Sequence, residues 1–314
     1  MTKALIVGSK GQDGSYLVEH LAARNYVVAG ISRGAVLGPL QSDFPIDIRD
    51  SSAIRRVVSS FAPDEIYYLA AFHHAAETLP LDQDDLIHRS FEINTLALHN
   101  FLDAMAAESP RSRLFYAASS HVFGEPAKSV QDENTPLSPI CPYGISKTAG
   151  AHLCRYYRRQ HNVFSSVGIL YNHESPRRSP GFVFRKVIKA AVEISKKRQD
   201  KLVLGGLDAC IDWGYAPDYV DAMWRILQLD APGDFVISSG KLHSVRELVE
   251  TAFDAVGLNW KAYVEIDPSV TRKSRSGILS GDSSRLRSCT GWRPTKSFRE
   301  IVEEIVKAET ENEN

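Results

Sequence analysis

Three things are scarce in this sequence: excess charge of either sign, sulfur, and long apolar runs. Lysine and arginine number 37 against 38 acidic residues, a formal net charge of -1. No global field therefore draws the chain to nucleic acid or to an anionic membrane, and any phosphate must be met by local groups. No apolar run approaches the roughly 20 residues that span a bilayer. The four cysteines, Cys141, Cys154, Cys210 and Cys289, are scattered without metal-ligand spacing. They read as reduced thiols, with no metal site expected. The opening MTKALIVG runs directly into a strand pattern, so no leader is expected and the cytoplasm is the expected compartment.

What is present supports a sizeable core: 314 residues, 43% hydrophobic and 24% charged, enough for one large domain or two joined ones. Short β-rich runs (3–8, 26–32, 65–71, 112–119, 165–171) alternate with helical patterns (from Leu17 to Asn25, 51–61, 90–106, 143–161). That alternation predicts an α/β fold, a doubly wound parallel sheet covered on both faces. After about residue 172, loops bearing proline and glycine interrupt the pattern. The expected division is a dinucleotide-binding domain over 1–171, with returning segments near 212–240. Residues 172–314 then form mainly a smaller, interleaved substrate-binding region.

Gly8-Ser9-Lys10-Gly11-Gln12-Asp13-Gly14 fits G-x-x-G-x-x-G between the first strand and the first helix. Small residues let the backbone turn tightly toward a pyrophosphate, whose charge meets the helix N-terminus. The pattern is weak alone and strong at a first βα junction. No acidic residue lies between Tyr26 and Gln41, and Arg33 is available after the second strand. An acid there serves a ribose 2′-hydroxyl and an arginine a 2′-phosphate, so NADP(H) is the expected cofactor unless Arg33 is a solvated loop charge. Asp47 is expected at the adenine amino group, beside Ile48. Leu69, Ala70 and Ala71 should line the same site from the next strand end.

Tyr143 and Lys147 form Y-x-x-x-K on a predicted helix, so both side chains share one face. A lysine ammonium beside the phenol should lower its pKa and ready it for proton exchange with a hydroxyl during hydride transfer. Alone, the spacing is common. Joined to the glycine loop and to Ser119 at a strand end, it becomes specific.

These residues resemble the extended short-chain dehydrogenase/reductases, and within them the GDP-mannose 4,6-dehydratase family. The likeness runs nearly end to end, through ALIVGSKGQDGSYL, DEIYYLAA, PYGISK, GILYNHESPRR and DWGYAPDYVDAMW. It implies a Rossmann-type fold, NADP(H) and a GDP-linked nucleotide sugar. It also implies Asn172 on the substrate side, with Arg185 or Lys186 near the nucleotide. Arg177 and Arg178 fall near phosphate, at a subunit contact, or in a plain surface pair. His73 and His74 follow the YLAA strand and are expected either at sugar hydroxyls or capping the loop.

The likeness breaks at a few places. The family's threonine-serine-glutamate stretch falls on Ser119, Ser120 and His121, so a histidine stands where the acid-base glutamate is expected. Ile211 replaces a basic residue before DWG. Arg272 is kept in the C-terminal signature, but Arg275 stands where an acid belongs. The loop after the second strand is shorter than in the family. Histidine, with an ordinary pKa of about 6.5, permits both proton steps of a dehydration; a lone histidine is also commonly structural.

Two enzymatic readings follow. One is a 4,6-dehydratase with Ser119, His121, Tyr143 and Lys147 as its catalytic set. The other is a 4-keto reductase or C4 epimerase, which needs no acid at position 121. A non-catalytic NADP-binding regulator would have no use for the intact serine, tyrosine and lysine. Fold analogy implies a homodimer paired through helices 90–106 and 143–161, with a tetramer as the alternative.

Overall fold

The computed structural model describes residues 1–32, 40–73, 82–270 and 279–311. The chain opens with β1 (Lys3–Val7), α1 (Gln12–Ala22), β2 (Val27–Ile31), β3 (Ser42–Phe44), α2 (Ser51–Phe61), β4 (Glu65–Tyr68), α3 (Gln83–Phe91) and α4 (Ala97–Glu108). Then come β5 (Arg113–Ser119), β6 (Val130–Gln131), α5 (Pro142–Gln160) and β7 (Phe164–Leu170). Next are β8 (Asn172–Glu174), α6 (Val183–Ser195), β9 (Leu202–Leu204), β10 (Cys210–Tyr215), α7 (Ala216–Leu227), β11 (Asp234–Ile237) and β12 (Leu242–Ser244). α8 (Val245–Ala255), β13 (Val264–Ile266), β14 (Ser280–Gly281), α9 (Ser284–Thr290) and α10 (Phe298–Glu311) complete the described chain.

Among the described residues the main sheet has seven strands in the order β11-β7-β5-β4-β1-β2-β3. Every neighbouring pair is parallel. The expected doubly wound α/β architecture is what forms. Chain progression reverses between β1 and β4, and in open α/β sheets ligands bind beyond the strand ends at such a point.

The unbroken apolar run in β1 follows from burial on both faces. Leu5 and Val7 pack with Ile54 of α2, Phe101 of α4 and Cys154 of α5. Ala4 and Ile6 point the other way, to Leu17 and Leu21 of α1 and Met223 of α7. A further core gathers Phe184 and Ile188 of α6, Leu248 and Phe253 of α8, and Ile301 and Ile305 of α10 around Trp213.

One expected helix differs. In place of an uninterrupted helix over 90–106, α3 begins at Gln83 and meets α4 through a π-helical turn, Glu92–Leu96. The wider turn leaves carbonyls for side chains: the Tyr68 hydroxyl donates to Ile93 at 2.5 Å and the Tyr116 hydroxyl to Asn94 at 3.0 Å. Apolar periodicity carries no mark of such a turn, which is why the sequence concealed it.

Candidate active site

The glycine turn lies where β1 ends at the switch point. Gly8 has a φ of +93°, and a Cβ there would sit 2.9 Å from the Ala70 backbone nitrogen. A Cβ on Gly14 would overlap the Gly8 carbonyl oxygen. Gly11 caps α1 without a side-chain bond, so the helix presents backbone N–H groups at its positive end. This cradle, closed to side chains and edged by Leu69 and Ala70, fits a dinucleotide pyrophosphate.

The neighbouring polar residues turn elsewhere. Gln12 donates through Nε2 to the His173 carbonyl at 3.1 Å and accepts from the Ser175 hydroxyl at 2.8 Å. Both Asp13 carboxylate oxygens lie 3.0 Å from His173 Nε2. Burial pushes the Asp13 carboxyl up, but the charge and hydrogen bond of His173 outweigh it, and the net shift is downward. Gln12 and Asp13 thus join the glycine turn to β8 and the residue after it. Asp47 is held by Arg49 through bonds of 2.6–3.0 Å. Ile48 packs against the core, and its carbonyl accepts from Asn100 at 3.2 Å. Ala71 is exposed.

The chemical end is assembled from β5, the turn that follows it, and α5. Ser119 is the last residue of β5, and its hydroxyl oxygen accepts from the His121 backbone N–H at 3.3 Å. Ser120 is buried in the same 3-10 turn, Ser120–Phe123. Pro142 opens α5, placing Tyr143 and Lys147 one turn apart on it. Gly144 allows the close approach: a Cβ there would lie 2.5 Å from the His121 carbonyl oxygen.

Burial pushes the Tyr143 phenol up to about 12, while a hydrogen bond with Ser119 and the charge of Arg178 pull it partly back. Lys147 is fully buried, donates from Nζ to the Ala117 carbonyl at 2.8 Å, and lies 5.7 Å from the Tyr143 ring centroid. Burial pushes its ammonium down to about 7. The expected lysine-driven lowering of the phenol pKa therefore does not dominate this geometry, because desolvation acts on both groups.

Aromatic side chains wall the phenol. The His121 ring stands edge-on to Tyr143 with centroids 5.4 Å apart, and His73 does the same at 4.6 Å. His73 stacks on Phe182 at 5.5 Å, and the Arg178 guanidinium lies over the Phe182 ring at 3.7 Å. Arg178 also lies 3.5 Å from buried Glu174, whose carboxyl burial pushes up. Lys147, Tyr143, Ser119, His121 and His73 form one constellation beside the glycine turn.

The other sequence-named residues scatter. Asn172 opens β8, partly exposed and paired in register with Trp213. Arg177 reaches α1, donating to Ser15 at 3.1 Å and Glu19 at 2.6 Å over the Tyr16 ring. Arg185 is buried on α6 and donates to Glu309 at 2.5 Å. Lys186 lies next to it, half-buried. Arg33, His74, Arg272 and Arg275 lie outside the described residues. No cluster of three metal-ligating side chains occurs among the described residues.

A family model described as GDP-mannose 4,6 dehydratase matches residues 5–305. The chain belongs to the GDP-mannose 4,6-dehydratase family. It is 37% identical over 326 residues to GDP-mannose 4,6 dehydratase 2 of Arabidopsis thaliana, covering 98% of this chain and 87% of that protein. It is 34% identical over 345 residues to the GDP-mannose 4,6 dehydratase of Drosophila melanogaster, covering 98% and 86%. Its fold matches a UDP-glucose 4-epimerase from Thermotoga maritima, solved with UDP-glucose, at a TM-score of 0.87 and 20% identity, covering all of both chains.

Within this member of the family, sequence reasoning missed Phe182, Cys141 and Asn94. Asn94, fully buried in the π turn, accepts from the Phe72 N–H at 2.9 Å and donates to Ser146 at 3.0 Å. It braces the loop carrying His73 against the helix carrying Tyr143. An asparagine inside an apolar helix was the available signal.

Proposed function

We propose that the chain is an NADP-dependent 4,6-dehydratase of a GDP-hexose, GDP-mannose being the first substrate to test. The carrying observation is the convergence of Ser119, His121, Tyr143 and Lys147 at the end of β5, in a chain of this family. A bound nicotinamide would supply hydride acceptance from C4 and hydride return to C6. Tyr143 exchanges the proton of the C4 hydroxyl, with Ser119 orienting that oxygen. His121 takes the C5 proton and gives it to the departing C6 hydroxyl, which leaves as water. As hydride returns to C6, C5 takes up a solvent-exchangeable proton through the same ring, balancing the proton that Tyr143 removed from the C4 hydroxyl. Lys147 holds the cofactor side of Tyr143. The glycine turn, Leu69 and Ala70 would hold the dinucleotide, and Arg33 would select the 2′-phosphate. Tighter binding of NADP(H) than of NAD(H) is expected; equal affinities would remove the argument from Arg33.

Residues 1–171, with the returning stretch near 212–240, are assigned to the cofactor. The participation of β11 in the main sheet and the packing of α7 beneath it support this. Residues 172–314 are assigned mainly to the nucleotide sugar, with Asn172 and His73 at the sugar. For the subunit we infer a homodimer through α4 and α5, supported by exposed Tyr156 on the second. A cytoplasmic location accords with the finding that no described helix is long and apolar enough to cross a membrane.

Turnover of GDP-mannose in deuterated water tests the proton chemistry. The product should carry solvent deuterium at C5, and His121→Ala should abolish its formation while cofactor binding persists. Unimpaired turnover of that variant would make His121 structural. The histidine in place of a carboxylate favours one other reading, a 4-keto reductase or C4 epimerase relying on Ser119, Tyr143 and Lys147 alone.

A further inference from the structure

We infer that Cys141 is a positioning residue for His121, fixing which ring nitrogen exchanges protons with the sugar; this rests on the dehydratase reading. The two residues are 20 positions apart, and the fold brings Cys141 Sγ to 3.9 Å from His121 Nδ1, within the range of a sulfur hydrogen bond. The sulfur is itself anchored. Cys141 is the N-cap of the 19-residue helix α5, and its Sγ accepts from the Gly144 N–H at 3.4 Å.

Three contacts on one helical turn therefore locate His121. Gly144 receives its backbone carbonyl closely, Tyr143 meets its ring edge-on, and Cys141 takes Nδ1. A sulfur that accepts from Gly144 has its own hydrogen to give to Nδ1. S–H is a weak donor, but neutral imidazole must carry its proton on one nitrogen or the other. Donation to Nδ1 places that proton on Nε2, the nitrogen across Cε1 from the sulfur. Among the described residues, the titratable groups found against the ring are Cys141, the N-cap of α5, Tyr143 in its first turn, and His73 on the loop after β4.

The same bond should hold the histidine neutral and so lower its titration midpoint. Removing it should raise the midpoint by about half a pH unit, the size of a weak hydrogen bond. Serine separates this role from helix capping. Its hydroxyl is a good N-cap, yet the shorter bond to oxygen withdraws the donor by a few tenths of an ångström from a ring nitrogen already at the limit of reach.

The test is nitrogen-15 NMR of full-length protein labelled in histidine, with the His121 signals assigned from the His121→Gln variant. In the parent, the His121 signals should show the tautomer protonated on Nε2. In both Cys141→Ala and Cys141→Ser the tautomer balance should shift toward Nδ1–H and the midpoint should rise, while only the alanine variant loses stability. An unchanged tautomer and midpoint in both variants, or a midpoint that falls, overturns the proposal. This readout needs no turnover, so it remains decisive if GDP-mannose is not dehydrated. Where the dehydratase reading holds, the acid limb of the dehydration pH profile should move with the NMR midpoint.

Discussion

Asp13 on α1 and His173 on β8, 160 residues apart, meet at 3.0 Å through both carboxylate oxygens, while the imidazole stacks on Tyr219 with centroids 4.4 Å apart. The pair ties the glycine turn to β8, and His173 Nδ1 adds a contact to the Tyr171 carbonyl at 2.7 Å.

Loss of this pair should be visible in acid. The folded-state pKa of Asp13 is depressed, so its contribution to stability is present above the ordinary carboxylate range and disappears as pH falls through the folded value. His173→Ala should cost about 1–3 kcal/mol at pH 7. Urea midpoints of the parent and the variant should converge as the pH drops below 4. A gap independent of pH would show that packing on Tyr219, rather than the contact with Asp13, is what was lost.

Lys147 gives a slope of the same sign in a higher pH window. Its folded value is lowered to about 7 from an ordinary 10.5. Between those values the unfolded chain holds a proton that the folded chain has released, so this residue makes stability rise with pH across the window. Below pH 7 the full cost of burying the charge remains. Lys147→Met should flatten the rise and leave the protein at least as stable at neutral pH, while lowering turnover by roughly 100-fold or more. Parallel pH–stability curves for the two proteins would contradict the burial argument.

Gly14→Ala should cost about 1–3 kcal/mol through overpacking and weaken dinucleotide binding, because the added methyl meets the Gly8 carbonyl. Gly206 has no atom within 4 Å of an added Cβ, so Gly206→Ala should stay within about 0.5 kcal/mol of the parent. Calorimetry with NADP+ reads both effects. Normal affinity in Gly14→Ala would mean that the turn does not cradle the pyrophosphate.

Phe182→Ala should remove the stack that holds Arg178 over the site and leave His73 without its partner. Arg178 lowers the Tyr143 phenol, so the alkaline limb of the pH–rate profile should move upward and the KM for the nucleotide sugar should rise. A rise in the KM for cofactor alone would contradict a role for Phe182 toward the nucleotide sugar.

Much of this was legible in the residues. Ser119, Tyr143 and Lys147 could be named because a strand end and an i, i+4 spacing are local patterns, and the glycine turn declared itself by its position between β1 and α1. A serine three residues before a glutamate, Ser244 and Glu247, is likewise a local cap pattern: Ser244 accepts the Glu247 N–H at 3.0 Å, and the Glu247 carboxylate turns to His243 at 2.8 Å. Contacts between distant segments were not legible. Nothing local in NHESPRR says that His173 will find Asp13, or that Arg177 will lie on α1 beside Glu19. Cys141 looked like a stray thiol until α5 began at the next residue and His121 arrived beside it.

The most direct test of the account is to incubate the full chain with GDP-mannose and a trace of NADP+, following product mass and cofactor absorbance together. The account predicts a product lighter by one water, many turnovers per cofactor, and no net accumulation of NADPH. Failure to lose water, combined with stoichiometric consumption of NADPH by a 4-keto-6-deoxy nucleotide sugar, would contradict it and identify a reductase.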